Sequence, residues 1–145
     1  MHQKTNEFKD ISLMRNTTPR RWDYRVDYPN HNSYGNVEII LREKHEFLEG
    51  SDLFEHIPGS DEEKIAEIDL FDPHGTEYES EDIEILAKSS RKGIGSKVLE
   101  GICSDLLDAG IKYVYVYSPS NSFKQFILKK GFRDISNLEY FKVIG

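Results

Sequence analysis

The stretch IEILAKSSRKGIGSKVLEGI, residues 83–102, runs from an apolar, strand-like segment through Ser89-Ser90-Arg91-Lys92 into Gly93-Ile94-Gly95-Ser96-Lys97, and then into an amphipathic segment. Two glycines between a strand and a helix make room for something pressed against the main chain, because no Cβ stands in the way. The first four amides of a helix have no intrahelical partner, so a turn that opens one is a ready anion site. Arg91, Lys92 and Lys97 add positive charge to a chain whose net charge is −7. A pyrophosphate suits this local chemistry. A nucleoside-triphosphate loop does not fit, since Ser96 rather than glycine precedes Lys97. A dinucleotide fingerprint fits poorly, since Val98 takes the place of its third glycine.

Working outward, Val98, Leu99, Ile102, Leu106 and Leu107 are expected on one helical face, and Gly110 follows as a C-terminal stop. Residues 111–117, IKYVYVY, form a β-rich run suited to burial on both faces. Ser118-Pro119-Ser120 starts a helix carrying Phe123, Phe126 and Ile127, which ends before Gly131, and residues 138–144 close the chain as a strand. Upstream, residues 22–28 and 37–41 read as a hairpin around the turn-forming PNHNSYGN. Residues 44–63 hold a short helix or ordered loop, and residues 65–71 and 76–86 read as strands on either side of Asp72-Pro73-His74-Gly75. Residues 1–19 read as a flexible or loosely docked arm. The expected fold is α/β (α+β), a mixed, mostly antiparallel sheet whose C-terminal half runs β-α-β-α-β. No internal repeat is visible.

The motifs now carry a resemblance. Residues 90–99 resemble the acyl-coenzyme-A loop of the GNAT superfamily of N-acetyltransferases, whose pattern is R/Q-x-x-G-x-G/A. Residues 120–132, SNSFKQFILKKGF, are similar to that family's N-x-x-A-x-x-F/L-Y-x-x-x-G-F helix. The likeness covers roughly residues 64–144. It implies one GNAT-like domain over residues 20–145, with 20–63 on the acceptor side and 64–144 as the acyl-coenzyme-A core. It implies acetyl-coenzyme A as cosubstrate, gripped by Arg91, Lys92, Gly93, Ile94, Gly95, Ser96 and Lys97. Ser120 stands at the family's asparagine, so Asn121 is the substitute. The strands 76–86 and 111–117 would splay apart, with main-chain groups of Ile85, Leu86 and Ala87 pairing with the pantetheine arm.

The implied reaction is acetyl transfer to a small-molecule or protein amine by direct attack. A neutral nitrogen is required, and so is a base. Counting back from Gly93 without gaps, Glu79 falls where the histone-acetyltransferase branch places its base. Residues 77, 79, 81, 83 and 85 share one strand face, and Ile83 and Ile85 on it suggest burial that would raise a carboxyl pKa. Ile127 stands at the family's acid tyrosine, so Tyr117 or Tyr115 is the substitute donor. Two other readings stay open: a non-catalytic acyl-coenzyme-A-binding or interaction module, and a nucleotide-binding domain.

Composition bounds the rest. One cysteine, Cys103, excludes an internal disulfide, and a reducing cytoplasm is the expected home. No apolar run approaches the ~20 residues that cross a bilayer, and residues 1–15 lack the apolar block of a signal peptide. The acidic balance makes nucleic acid an unexpected partner. The 5 histidines show no metal-ligand spacing. This family often pairs through its C-terminal strands, so a homodimer is one expected state.

Overall fold

A computed structural model describes residues 2–7, 11–27, 34–47, 52–73, 93–136 and 138–145. The strands are β1 (His2–Glu7), β2 (Ser12–Thr18), β3 (Arg21–Asp27), β4 (Tyr34–Glu43), β5 (Lys64–Asp72), β6 (Tyr113–Tyr117), β7 (Arg133–Ser136) and β8 (Glu139–Val143). The helices are α1 (Asp52–His56), α2 (Ile94–Asp108) and α3 (Asn121–Lys129), with a 3₁₀ turn at Lys44–Glu46. Strand order is β1-β2-β3-β4-β5-β6-β8-β7. The pairs β1/β2, β2/β3, β6/β8 and β7/β8 are antiparallel, and β5/β6 is parallel. A mixed α+β fold with a mostly antiparallel sheet is the architecture. Among the described residues, no helix is long and apolar enough to cross a membrane.

The chain divides into two compact units, residues 1–39 with 70–105 and residues 40–69 with 106–145. In the first, Thr18 and Arg21 face each other across a tight turn at Pro19-Arg20, and the Thr18 hydroxyl donates to the Arg21 carbonyl at 3.2 Å. The segment read as an arm therefore contains two paired strands, β1 and β2. Ile11 and Leu13 are fully buried, and β2 pairs along its whole length with β3. The short apolar content of residues 11–14 hid this. Two buried side chains suffice when a neighbouring strand supplies the rest of the apolar face. In β3 the alternation expected from the sequence holds, with Trp22, Tyr24 and Val26 buried.

A buried polar link ties β3 to α2 within this unit. The Tyr24 hydroxyl donates to Asp105 Oδ2 at 2.8 Å, and Arg15 Nη1 lies 3.8 Å from the same oxygen. Arg15 also lies over the Trp22 ring, 4.6 Å from its centroid. Burial, and then the bond to Asp105 and its charge, push the Tyr24 phenol above its ordinary range, while Arg15 opposes the shift. On α2, Val98, Leu99, Ile102 and Leu106 are buried as the spacing predicts, but Leu107 is 41% exposed. At 100° per residue it falls opposite Val98, outside the apolar stripe.

The second unit is built around Leu53, Ile57, Ile65, Tyr113, Tyr115 and Phe141, with Phe47 and Ile135 packed against them. Tyr113 stacks on Phe141 with ring centroids 5.9 Å apart. Four successive residues of β6, Tyr113 to Val116, are buried, as the expected two-sided burial requires. The α2 C-terminus ends at Gly110 (φ +81°), and the Ile111 amide donates to the Leu106 carbonyl at 2.9 Å, closing the last turn. Lys130 caps the end of α3, and β7 precedes the expected closing strand, β8.

The parallel neighbour of β6 is β5, pairing Ala66 with Val114 and Glu67 with Tyr115. Ile65, Ala66 and Ile68 are buried, which a strand with neighbours on both edges needs. The expected splaying of strand 76–86 from strand 111–117 falls on residues 76–86, which lie outside the described residues. A parallel pair requires a crossover, and the chain between β5 and β6 carries α2.

Candidate functional site

Gly93 stands at φ +83°, a conformation that side chains with a Cβ adopt only at a cost of about 1–2 kcal/mol. Among the described residues, a Cβ built there would meet no heavy atom within 4 Å. Its carbonyl accepts the Lys97 amide at 3.0 Å, so the helical ladder starts on Gly93 itself. Ile94 is buried and anchors the first turn of α2, while Gly95, Ser96 and Lys97 are half-buried. Gly95 is thus a residue of the helix rather than of the turn. Only one of the two glycines is needed for backbone conformation. No acidic side chain belongs to the first turn of α2, so among the described residues none of that turn competes for an anion at the amide end. Arg91 and Lys92, and with them Ile85, Leu86, Ala87 and the base candidate Glu79, lie outside the described residues.

Asn121 is the first residue of α3, exposed. Ser120 caps that helix, its hydroxyl accepting the Phe123 amide at 3.3 Å. Capping explains why serine stands at that position. Ile127, at the place of the family's tyrosine, is fully buried.

A second group of polar side chains occupies the other unit; the sequence reading named its Tyr115 and Tyr117 but missed Glu67 and Glu139. Glu67 on β5 and Tyr115 on β6 are register partners of the parallel pair. Arg42 Nε lies 3.1 Å from Glu67 Oε1 but off the hydrogen-bonding line, so that N–H makes no hydrogen bond among the described residues. Burial raises the Glu67 carboxyl above its ordinary range; Arg42 opposes the shift and Asp69 adds to it. The Tyr115 hydroxyl donates to Glu139 Oε2 at 2.7 Å, and the Ser136 hydroxyl donates to Oε1 at 2.5 Å. Burial first, then the bond to Glu139 and the charges of Glu139 and Glu67, hold the phenol protonated well above its ordinary range. Tyr115 also meets the Phe47 ring edge-on at 5.3 Å. Tyr117, two residues on, is 57% exposed and pairs in register with Glu139.

No family model matches the chain, and no curated protein matches it either. The site therefore rests on its own residues. A half-buried carboxyl raised by burial, beside a cation, is a candidate general base. Glu67 carried a weak sequence signal: a lone acid inside the apolar run Ile65-Ala66-Glu67-Ile68. Period-two reading passed over it because it sits on an ordinary strand between ordinary hydrophobic residues.

Proposed function

We propose that the protein is an acetyl-coenzyme-A-dependent N-acetyltransferase that acts on an amine by direct attack. The observation that carries the reading is Gly93, which holds a positive φ at the amide end of α2 with no heavy atom of the described residues within 4 Å of a Cβ built there. A diphosphate fits such a place by charge and by lack of obstruction. Ser96 and Lys97 follow on the first turn and supply a hydroxyl and a cation for the same group.

In the transfer, the amine nitrogen bonds to the acetyl carbon as the carbon–sulfur bond breaks, and one proton must leave the nitrogen. Glu67 is the described carboxylate assigned to take it, because burial raises its pKa, the direction that makes a carboxylate a stronger base. Glu79 remains the alternative base. The departing thiolate needs a proton in return, and the exposed phenol of Tyr117 is assigned that task; the Tyr115 hydroxyl is already committed to Glu139.

Thermal unfolding with acetyl-coenzyme A, NAD and ATP in parallel tests the reading. A ligand at ~100 times its dissociation constant adds about 2.7 kcal/mol, which raises the midpoint of a chain this size by roughly 5–10 °C. A rise with acetyl-coenzyme A alone is expected. A rise with NAD or ATP alone would redirect the assignment to a nucleotide-binding domain.

Glu67→Gln carries its own expected outcome. A base acts deprotonated, so the wild-type rate climbs with pH through an apparent pKa above that of an ordinary glutamate, and the variant loses this ascending limb. Stability reads the same group independently. The raised carboxyl favours folding while protonated, and that contribution fades as pH rises from the unfolded pKa through the folded one. Glu67→Gln should flatten this part of a denaturation-versus-pH curve. An unaltered rate profile, with the loss appearing instead in Glu79→Gln, would move the base to Glu79.

A non-catalytic acyl-coenzyme-A-binding module is the second reading, favoured by Ile127, which is buried in the core where an acid tyrosine would stand. Tight binding without thiol release over a broad amine panel would select it.

A further inference from the structure

Beside the first turn of α3 lies a cavity of about 350 Å³ lined by Pro119, Asn121, Lys124, Asp134, Leu138 and Tyr140. Asn121 and Lys124 are three apart and share a helix face. Asp134 and Tyr140 are register partners across β7 and β8, so their side chains stand side by side on one face of that pair. The rim is held by two residues at positive φ, Ser118 (50°) and Leu138 (71°), joined by the Ser118 amide donating to the Leu138 carbonyl at 2.7 Å.

The polar groups here are unspent. Among the described residues, no ion pair joins Lys124 to Asp134, and neither the Asn121 amide side chain nor the Tyr140 hydroxyl has a hydrogen-bond partner. Tyr140 is only 5% exposed and lines the cavity. One cation, one anion, an amide and a phenol thus line one small cavity with apolar walls from Pro119 and Leu138.

We propose that this cavity binds a free α-amino acid with an apolar side chain. A zwitterion satisfies both charges at once: its carboxylate pairs with Lys124 and accepts from the Asn121 amide, and its ammonium pairs with Asp134. The side chain rests on Leu138, Pro119 and the Tyr140 ring. A ligand with one charge would leave either Lys124 or Asp134 facing the bound molecule without a partner. The site lies within one unit of the chain and does not depend on the acetyltransferase reading.

The experiment uses the full chain without acetyl-coenzyme A, so its failure and that of the proposed function are separate results. L-leucine is titrated into ¹⁵N-labelled protein and amide shifts are followed, in parallel with N-acetyl-L-leucine, which lacks the ammonium, and 3-methylbutylamine, which lacks the carboxylate. Saturable shifts centred on residues 121, 124, 134 and 140 are expected with L-leucine, and each single-charge analogue should bind at least about tenfold more weakly. Lys124→Gln and Asp134→Asn, at a half-buried and an exposed position, should each weaken L-leucine by a similar factor while the unfolding midpoint stays unchanged. No saturation by about 10 mM, far weaker than a specific small-ligand site, would overturn the proposal. So would equal affinity for the analogues, or affinity unchanged in both variants.

Discussion

In the Gly93→Asp variant, acetyl-coenzyme A is expected to leave the unfolding midpoint where it stands without ligand. The added carboxylate would sit at the amide end of α2, where among the described residues a Cβ meets no heavy atom within 4 Å. It would take the diphosphate's place and repel it. The fold should survive, for two reasons. Aspartate is among the residues that tolerate a positive φ, and a carboxylate at a helix N-terminus is itself favourable by about 0.3–1 kcal/mol. Loss of binding would therefore report on the site rather than on unfolding. Gly93→Asn separates charge from bulk: it keeps the shape and backbone preference without the charge. Binding weakened about tenfold in Gly93→Asn, and by a hundredfold or more in Gly93→Asp, would assign the larger share to repulsion. A full midpoint rise in Gly93→Asp would remove the loop from the site.

Gly35→Ala tests the fold in the same way, with the opposite origin. Gly35 lies in β4, and a Cβ there would stand 2.2 Å from the Pro73 carbonyl oxygen and 2.6 Å from that of Asp72. Both are main-chain atoms, so no rotamer change can relieve the overlap. The β4 backbone and the end of β5 would have to part. Destabilisation of about 3 kcal/mol or more is expected, a fall of roughly 10 °C in midpoint for a chain of this length. Gly93→Ala is the comparison: its cost comes from φ alone, about 1–2 kcal/mol, with open space around the new methyl. Chemical denaturation of the two variants gives both numbers in one experiment. Equal losses would mean that close approach at Gly35 contributes nothing beyond the ordinary price of replacing glycine.

The two glycines show what separates sequence from structure here. Gly93 was legible because its neighbours announce it: a strand-like apolar run before it in the sequence, a helix after, and basic residues around. Gly35 was not. Within PNHNSYGN it reads as turn chemistry, and nothing local says that Pro73, thirty-eight positions away, presses its carbonyl against it. Similarly, the alternation of Trp22, Tyr24 and Val26 predicted β3, and the spacing of Val98, Leu99, Ile102 and Leu106 predicted the buried stripe of α2. Leu13, between Ser12 and Met14, predicted nothing by itself. It is buried because β3 lies beside it.

For the candidate site the division is sharper. Local sequence determined that a glycine turn opens a helix at residue 93, that Ser120 starts α3, that Gly110 ends α2, and that residues 113–116 are apolar enough to be covered on both faces. These are properties of a few consecutive residues: backbone permissiveness, capping and periodicity. Tertiary structure alone decided that β5 is the parallel neighbour of β6, that Glu67 therefore stands in register with Tyr115, and that Tyr115 gives its hydroxyl to Glu139 rather than keeping it free. Ile65–Asp69 and residues 113–117 are more than forty positions apart, and a strand's sequence says which face is buried without saying which strand lies beside it. A raised carboxyl pKa arises from burial and from the charges nearby, and both are set by that pairing.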